Sequence, residues 1–268
     1  MHIATHDSIS VKTGYSQVNG IKMYYEMHGD NGEYLVLIHG GGSTITTSFA
    51  GILPLLAKDH KVIAVELQNH GHTESRDVAE TFEQDADDVA ALLTNLQIEK
   101  ASLFGFSNGG NTAIQMALRH PKLVNKLVLA STFYKREGFP PGFFEGMKQI
   151  SLEVIPQALK DAFLKINNND SAKLLAAFDK DRERMLNFKD WPDADMASIT
   201  MPTLIINGDH DVVSNEHAVA MSRLIKNSRL MILPGTHGEY MGVAESPDPT
   251  GHLPQITAQL VTDFLTKH

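Results

Sequence analysis

The stretch SLFGFSNGGNTAIQMALRHP, residues 102–121, joins a short apolar run to a helical pattern through a glycine-rich turn around one serine. Ser107 lies between Gly105 and Gly109, so the turn matches the pattern G-x-S-x-G. The pattern alone occurs in unrelated loops, but here a strand precedes it and a helix follows it, which is the setting of a nucleophile elbow. We therefore predict that Ser107 is a nucleophile. The alternative is a serine that only caps the helix.

Outward from this turn, apolar runs alternate with helical patterns along most of the chain. The predicted strands are 34–38, 62–66, 101–104, 126–130, 203–207 and 229–233, and the predicted helices lie near 49–58, 82–96, 108–120, 215–226 and 254–266. Continuous apolar strands separated by amphipathic helices predict an α/β fold with a mostly parallel sheet and helices on both faces. Before them, YSQV and IKMYYEMH flank Asn19-Gly20, a strong signal for an antiparallel hairpin.

One segment, from residue 133 to about residue 199, contains helical patterns and no strand pattern. Prolines and the run NNND at 167–170 divide these helical patterns from one another. A helical insertion between two strands of a parallel sheet predicts a cap over the sheet edge at which ligands bind. We therefore predict a core of residues 1–132 and 200–268, with a helical cap, 133–199, inserted in it.

Composition excludes several classes of protein and of site. The 268 residues carry a formal net charge of −9, from 32 acidic and 23 basic residues, which argues against a nucleic-acid or anionic-membrane binder. The chain has no cysteine, so disulfides, zinc–thiolate sites and a cysteine nucleophile are excluded. Residues 1–14 lack a signal-peptide pattern, and the apolar runs are far shorter than the roughly 20 residues of a membrane span. We expect a cytoplasmic protein that crosses no membrane.

Part of the acidity is concentrated near the start of the predicted helix at 82–96. The residues are Glu80, Glu83, Asp85, Asp87 and Asp88. Carboxylates near a helix N-terminus are favoured by the helix dipole. We therefore interpret them as helix-start charges and not as an acidic binding site.

A serine hydroxyl needs a base, and the base needs an orienting carboxylate. Two loops that follow predicted strands supply candidates for them, GDHD at 208–211 and GTHG at 235–238. His237 is the candidate base, although a histidine in a glycine turn can also be a surface residue. Asp209 and Asp211 both follow the strand, and Asp209 can cap its own turn. We favour Asp211 as the acid.

The third requirement is an oxyanion hole, for which the run HGGG at 39–42 is the candidate. It directly follows a predicted strand, and its glycines allow a backbone N–H to approach a substrate oxygen. We assign the two donors to the N–H groups of Gly41 and of Asn108, the residue after the serine. His39 is expected to brace the loop. A loose turn is the alternative, and a phosphate-binding loop is excluded because no Gly-Lys-Ser/Thr follows.

Together HGGG, ELQNHGHT, GFSNGG, GDHD and GTHG appear in an order that resembles the α/β-hydrolase superfamily over nearly the whole chain. The similarity is to a serine-nucleophile branch of esterases and lactonases with a helical cap, and it implies an eight-stranded sheet. ELQNHGHT departs from the family pattern at Glu66 and Thr73, where Asp and Ser are commoner. The resemblance makes His70 a structural loop residue. We expect no metal and no other cofactor.

The resemblance implies acyl transfer to water by Ser107, His237 and Asp211. The predicted substrate is a small-to-medium apolar ester or lactone, because the predicted cap is rich in apolar side chains. The candidate substrate-binding residues are Phe133, Phe139, Phe143, Phe144 and Met147. Three alternatives stay open: a C–C bond hydrolase, a cofactor-free perhydrolase that uses the same residues, and a receptor that binds its ligand without turnover. No oligomeric state is predicted.

Overall fold

Eight strands form one sheet in the computed structural model, which describes residues 10–267. The strands are β1 (Val11–Val18), β2 (Ile21–His28), β3 (Tyr34–Ile38), β4 (Lys61–Val65), β5 (Ala101–Phe106), β6 (Val124–Ala130), β7 (Thr203–Gly208) and β8 (Ser228–Leu233). Their order across the sheet is β1-β2-β4-β3-β5-β6-β7-β8. β2 pairs antiparallel with β1 and with β4, and all other pairs are parallel. The predicted mostly parallel, eight-stranded sheet is confirmed.

The connection between β1 and β2 is the predicted hairpin at Asn19-Gly20. Both residues have positive φ angles, 43° and 90°, as a two-residue hairpin turn requires. Residues 1–9 lie outside the described residues. The expectation that residues 1–14 are not a signal peptide therefore stays a prediction.

Ten α-helices are described alongside the sheet. They are α1 (Ile45–Phe49), α2 (Leu53–Leu56), α3 (Phe82–Asn95), α4 (Asn108–Arg119), α5 (Phe143–Met147), α6 (Gln157–Ile166), α7 (Ser171–Asn187), α8 (Asp193–Ser198), α9 (Asn215–Leu224) and α10 (His252–Lys267). Between residues 10 and 267, no helix has the length and apolarity needed to cross a membrane.

The prediction of a single helix at 49–58 is wrong, because α1 and α2 are two short helices. Between them Gly51 packs so closely on another loop that a Cβ there would lie 2.5 Å from the carbonyl oxygen of Pro249. Pro54 lies in the first turn of α2, a position where its missing N–H breaks no helical hydrogen bond. The chain therefore bends at Gly51 and begins a new helix.

Both faces of the sheet are buried under apolar side chains. In β3, Leu35 and Leu37 belong to one core cluster, whereas Val36 and Ile38 belong to the cluster on the opposite face. All four side chains are completely buried. The continuous apolar run of β3 therefore reflects helices packed on both faces, as the sequence predicted.

Ser107 lies in a strained turn where β5 ends and α4 begins. Its φ and ψ angles are 52° and −124°, a conformation that non-glycine residues rarely adopt. The flanking glycines permit the close approach: a Cβ at Gly105 would lie 2.2 Å from the carbonyl oxygen of Gly109, and a Cβ at Gly109 would lie 2.1 Å from that of Ile38. The turn thus needs glycine at both positions.

Replacing Gly109 with alanine is expected to lower the free energy of unfolding by about 4 kcal/mol or more, because backbone must move to admit the Cβ. Denaturant unfolding measures the change. Gly146→Ala is the matched control, since a Cβ at this position in α5 meets no atom within 4 Å. It should leave stability unchanged or raise it slightly. Equal denaturation midpoints for Gly109→Ala and the wild type would contradict the close-packing explanation.

The segment between β6 and β7, residues 131–202, is called the inserted segment below. It holds α5–α8, and its described part contains no strand. Met196 of α8 and the following Ile199 are buried in the same core cluster as the sheet residues Val36 and Ile38. The end of the inserted segment therefore packs with the sheet. The boundaries 133 and 199 of the cap stay a prediction.

Candidate active site

Three side chains from separate loops form a continuous row of hydrogen bonds. The Nε2 of His237 lies 3.0 Å from the Oγ of Ser107, and its Nδ1 lies 2.7 Å from the Oδ1 of Asp211. An ionised carboxylate can only accept, so Nδ1 carries the proton of the neutral ring. Nε2 is then free to accept the hydroxyl proton of Ser107.

The strands position this row, because each residue follows the carboxyl end of a parallel strand. Ser107 follows β5, Asp211 follows β7 and His237 follows β8. The ring of Phe106 lies 4.9 Å from that of His237, centroid to centroid. At Gly238, φ is 75° and a Cβ would lie 2.6 Å from the Phe106 ring, so glycine is required beside the histidine.

The side chain of Asp211 is fully buried and accepts three hydrogen bonds. Besides His237, the N–H of Val213 donates at 3.0 Å and the Oγ of Ser131 donates at 2.5 Å. Burial by itself would raise the pKa of Asp211, but the hydrogen bonds it accepts and its electrostatic attraction to the His237 ring lower it below its ordinary value. Asp211 therefore stays ionised where it faces His237.

Ser131 and Tyr240 support the carboxylate from behind, and the sequence analysis missed both. The hydroxyl of Ser131 donates to Asp211, so the hydroxyl of the fully buried Tyr240, 2.7 Å away, donates to Ser131. Ser131 has a sequence signal, since it is a polar residue directly after the apolar run of β6. Tyr240 has none.

The two candidate acids have different partners. Asp209 accepts a hydrogen bond from the N–H of Gly235 at 2.8 Å, and this bond joins the loops after β7 and β8. Asp211, in contrast, contacts His237 itself. Geometry therefore favours Asp211, and Asp209 holds a turn.

The HGGG loop lies against Ser107 and the start of α4. A Cβ at Gly40 would lie 3.2 Å from that of Ser107, and a Cβ at Gly41 would lie 2.4 Å from the Nδ2 of Asn108. Within the described residues, the N–H groups of Gly41 and Asn108 have no hydrogen-bond acceptor. The two predicted donors therefore have no acceptor among the described residues and lie beside Ser107.

His39 braces this loop, as predicted from its position. Its Nε2 accepts the N–H of Leu67 at 3.0 Å, and its Nδ1 donates to the carbonyl oxygen of Gly40 at 2.7 Å. Burial lowers the pKa of His39 to about 3, so the ring is neutral. Its two hydrogen bonds tie the loop to the end of β4.

A cavity of about 230 Å³ opens at Ser107 and extends beneath the inserted segment. Most of its wall is apolar, and four of the five predicted substrate-binding residues line it: Phe133, Phe139, Phe143 and Met147. The inserted helices add further apolar residues, among them Leu159, Phe163, Leu174 and Phe178. The site is therefore polar at Ser107 and apolar beyond it.

Phe144 does not line the cavity, which corrects its assignment as a substrate-binding residue. Its ring packs edge-on against Phe139 and Phe143, and the guanidinium of Arg136 lies 4.1 Å above it. Successive residues of a helix point in different directions. Phe143 therefore faces the cavity whereas Phe144 packs behind it.

A buried charge cluster joins α7 to the core beside the cavity, and it consists of His70, Glu80, Asp85, Asp181 and Arg184. Arg184 donates to Asp85 at 2.7 Å and to Asp181. Burial raises the pKa of Asp85 to about 6 and that of Glu80 to about 7.

Among residues 10–267, no group of three or more His, Cys, Asp or Glu side chains could hold a metal ion.

The buried charge cluster corrects the interpretation of the acidic residues near the start of α3. Asp85 is completely buried and paired with Arg184, and Asp88 is buried and paired with Arg76 at 2.7 Å. Asp85 compensates the buried guanidinium of Arg184 on α7, and Asp88 compensates the guanidinium of Arg76 in the loop before α3. The dipole of α3 is therefore not their main partner.

The comparisons with known proteins agree with this fold. The family model described as alpha/beta hydrolase fold matches residues 34–159. The structure of the enol-lactonase from Burkholderia xenovorans LB400 aligns with 95% of this chain and 100% of its own, with a TM-score of 0.72 and 22% identity. The chain therefore has the alpha/beta hydrolase fold.

Curated relatives of this chain carry hydrolase names. It is 27% identical to serine hydrolase BPHL of Homo sapiens over 88% of this chain and 84% of the relative. It is 26% identical to the 2-hydroxymuconate semialdehyde hydrolase of Pseudomonas sp. (strain CF600), over 87% of each chain. The 2-hydroxymuconate semialdehyde hydrolase and the enol-lactonase are named for different substrates, so the fold alone does not define the bond that is cleaved.

Proposed function

We propose that this protein is a serine hydrolase that cleaves a carboxylic ester or a lactone of a small-to-medium apolar substrate. The observation that carries the proposal is the row Ser107–His237–Asp211 beside two N–H groups that have no acceptor among the described residues. The row opens into a largely apolar cavity of about 230 Å³. Nucleophile, base, acid and oxyanion donors then meet at one point of an apolar site.

In the proposed reaction, the Oγ of Ser107 attacks the ester carbonyl carbon while its proton moves to the Nε2 of His237. The carbonyl oxygen becomes an oxyanion and accepts hydrogen bonds from the N–H groups of Gly41 and Asn108. His237 then protonates the leaving alcohol oxygen, which yields the acyl-enzyme. Water, deprotonated by His237, releases the acid and restores Ser107. Asp211 orients the ring and stabilises its cationic form.

The N-terminus of α4 adds to the stabilisation of the oxyanion. Asn108 is the first residue of this helix, and its N–H is one of the groups that have no partner within the helix. The partial positive charge of the helix N-terminus lies at the same place. Negative charge that develops next to Ser107 is therefore favoured by the backbone alone.

The inserted segment is proposed to act as the cap that provides the apolar part of the site. Leu159 and Phe163 of α6 and Phe178 of α7 line the cavity, whereas the core contributes its polar end. Substrate size should therefore depend on the inserted segment, and chemistry on the core.

Longer acyl chains are expected to be better substrates up to the size of the cavity. Each CH₂ group buried there contributes about 0.8 kcal/mol, so kcat/KM for p-nitrophenyl butyrate should exceed that for the acetate by about tenfold. Initial rates over a series of acyl lengths measure this. A decrease from acetate to butyrate would contradict an apolar acyl site.

A C–C bond hydrolase is the second candidate, favoured by one relative and one residue. The relative is the 2-hydroxymuconate semialdehyde hydrolase, whose substrate name denotes a carboxylate. Lys160 of α6 lines the cavity and could pair with such a group. Beside the HGGG loop, however, the charged side chains His70 and Asp181 are paired with each other. A neutral substrate therefore fits better next to Ser107.

A direct comparison separates the two candidates. The ester proposal expects higher kcat/KM for p-nitrophenyl butyrate than for a 2-hydroxy-6-oxo-dienoate, and little effect of Lys160→Met on the ester. Faster cleavage of the dienoate, with a loss of about tenfold or more in Lys160→Met, would instead support the C–C hydrolase. A ligand that binds stably without turnover of any substrate would support the receptor alternative.

A further inference from the structure

The backbone around Gly41 is held on both sides by hydrogen bonds. On one side, the N–H of Gly40 donates to the Oγ of Ser48 at 3.3 Å, and the carbonyl oxygen of Gly40 accepts from His39. On the other side, the N–H of Gly42 donates to the Oδ2 of Asp181 at 2.6 Å. The N–H of Gly41 lies between these fixed groups.

Asp181 differs from the other holding groups because it comes from the inserted segment. It lies on α7, 139 residues from Gly42 along the chain, whereas His39 and Ser48 flank the loop itself. The loop that supplies a proposed oxyanion donor is thus fixed in part by the proposed cap.

Both oxygens of the Asp181 carboxylate accept hydrogen bonds from the protein. Oδ2 accepts from the N–H of Gly42 and from the Nε2 of His70 at 2.8 Å, and Oδ1 accepts from Arg184. Asp181 is buried, and these charged partners lower its pKa despite the burial. These hydrogen bonds hold the HGGG loop in place, so we interpret Asp181 as a structural group and not as one that binds substrate.

A carboxylate near an oxyanion site opposes the negative charge that forms there, unless cations compensate it. His70 supplies one cation: its Nδ1 faces the carbonyl oxygen of Gln68 at 2.9 Å and its Nε2 faces Asp181, so both nitrogens carry protons. Arg184 supplies the second cation. Asp181 can therefore hold the loop without leaving a net negative charge at the site.

We propose that Asp181 is a positioning residue for the oxyanion hole: from α7 it holds the N–H of Gly42, and so fixes the loop that aims the N–H of Gly41 at the substrate oxygen. The inference rests on the proposed function, since it requires that Gly41 is an oxyanion donor. If the proposal holds, the oxyanion hole is complete only when α7 is packed against the HGGG loop.

The test compares Asp181→Ala, Asp181→Asn and a control on the same helix, Glu183→Ala. Glu183 carries the same charge but is exposed. For each variant, kcat and KM are measured with p-nitrophenyl butyrate, together with inhibition by an alkyl trifluoromethyl ketone. Attack of Ser107 on this ketone forms a hemiketal whose oxyanion occupies the oxyanion hole. Thermal unfolding establishes which variants are folded.

Asp181→Ala removes the carboxylate acceptor and leaves only the Nε2 of His70, 3.2 Å away, beside the N–H of Gly42. We expect kcat to fall about 30-fold while KM changes by less than about threefold, because an oxyanion donor acts mainly in the transition state. The inhibition constant of the ketone should rise by the same factor. Asp181→Asn keeps an oxygen for Gly42 but turns its NH₂ toward Arg184, so it should lose some activity, within about fivefold of the wild type and well short of the alanine variant. Glu183→Ala should not differ from the wild type.

Equal losses in the alanine and asparagine variants, or a lower kcat with unchanged ketone inhibition, would overturn the positioning role. If the alanine variant does not fold, nuclear magnetic resonance on glycine-labelled protein decides. The Gly42 amide proton, bonded to a carboxylate, should move upfield in Asp181→Asn, and an unchanged signal would contradict the proposal. Hydrolysis by Ser107→Ala at the wild-type rate would instead refute the proposed function itself.

Discussion

Replacing Ser107 with alanine is expected to lower kcat/KM for ester hydrolysis by at least about 10⁴-fold, because the acyl-enzyme cannot form. The variant keeps His237 and the N–H groups of Gly41 and Asn108. Its residual activity is therefore limited to what general-base catalysis and oxyanion stabilisation provide without a nucleophile. Initial rates with p-nitrophenyl butyrate measure the loss. The backbone strain at position 107 is the same for alanine, so the variant should stay folded.

Ser198→Ala is the matched control for this variant. Ser198 is exposed at the end of α8, where its hydroxyl donates to the carbonyl oxygen of Asp195 at 2.7 Å. Its replacement should leave kcat/KM unchanged. A folded Ser107→Ala protein that retains more than about a hundredth of the activity would mean that another group performs the attack.

Replacing Asp211 with asparagine is expected to lower kcat by about 10⁴-fold. In the wild type, the carboxylate of Asp211 accepts hydrogen bonds from the Nδ1 of His237, from Ser131 and from Val213. An uncharged amide no longer stabilises the cationic ring that forms on His237, and an amide NH₂ turned toward Nδ1 favours the tautomer whose Nε2 carries the proton. That nitrogen could no longer accept the proton of Ser107.

Asp209→Asn controls for this change with the same substitution two residues away. Among the bonds described, the carboxylate of Asp209 accepts only the N–H of Gly235, and an asparagine oxygen can accept it equally. Its kcat should stay within about threefold of the wild type. If kcat falls in Asp209→Asn by as much as in Asp211→Asn, or by more, the assignment of Asp211 as the acid is wrong.

Sequence patterns predicted those features that depend on neighbouring residues. Apolar runs predicted β3–β8, and Asn19-Gly20 predicted the hairpin, because each pattern acts within a few residues of the chain. The elbow at Ser107 was predictable for the same reason. The positions of Asp211 and His237 followed from strand order, since the carboxyl ends of parallel strands meet at one edge of the sheet.

Features that depend on packing between distant segments were not predictable. His70 and Asp181 are separated by 111 residues, and Ser131 and Asp211 by 80, so no local pattern joins them. The break at Gly51 has the same origin, because the loop around Pro249 packs on it. Phe144 was misassigned because apolar content alone does not tell a cavity wall from the layer behind it.

The most direct test of the proposed nucleophile is mass spectrometry of the protein after reaction with an alkyl fluorophosphonate. The reagent forms a stable bond to an activated serine oxygen and releases fluoride. The proposal predicts one phosphonyl group per chain, located on the peptide that contains Ser107, with much slower labelling in His237→Ala and none in Ser107→Ala. Labelling at another residue, or active protein that hydrolyses esters without being labelled, would contradict it.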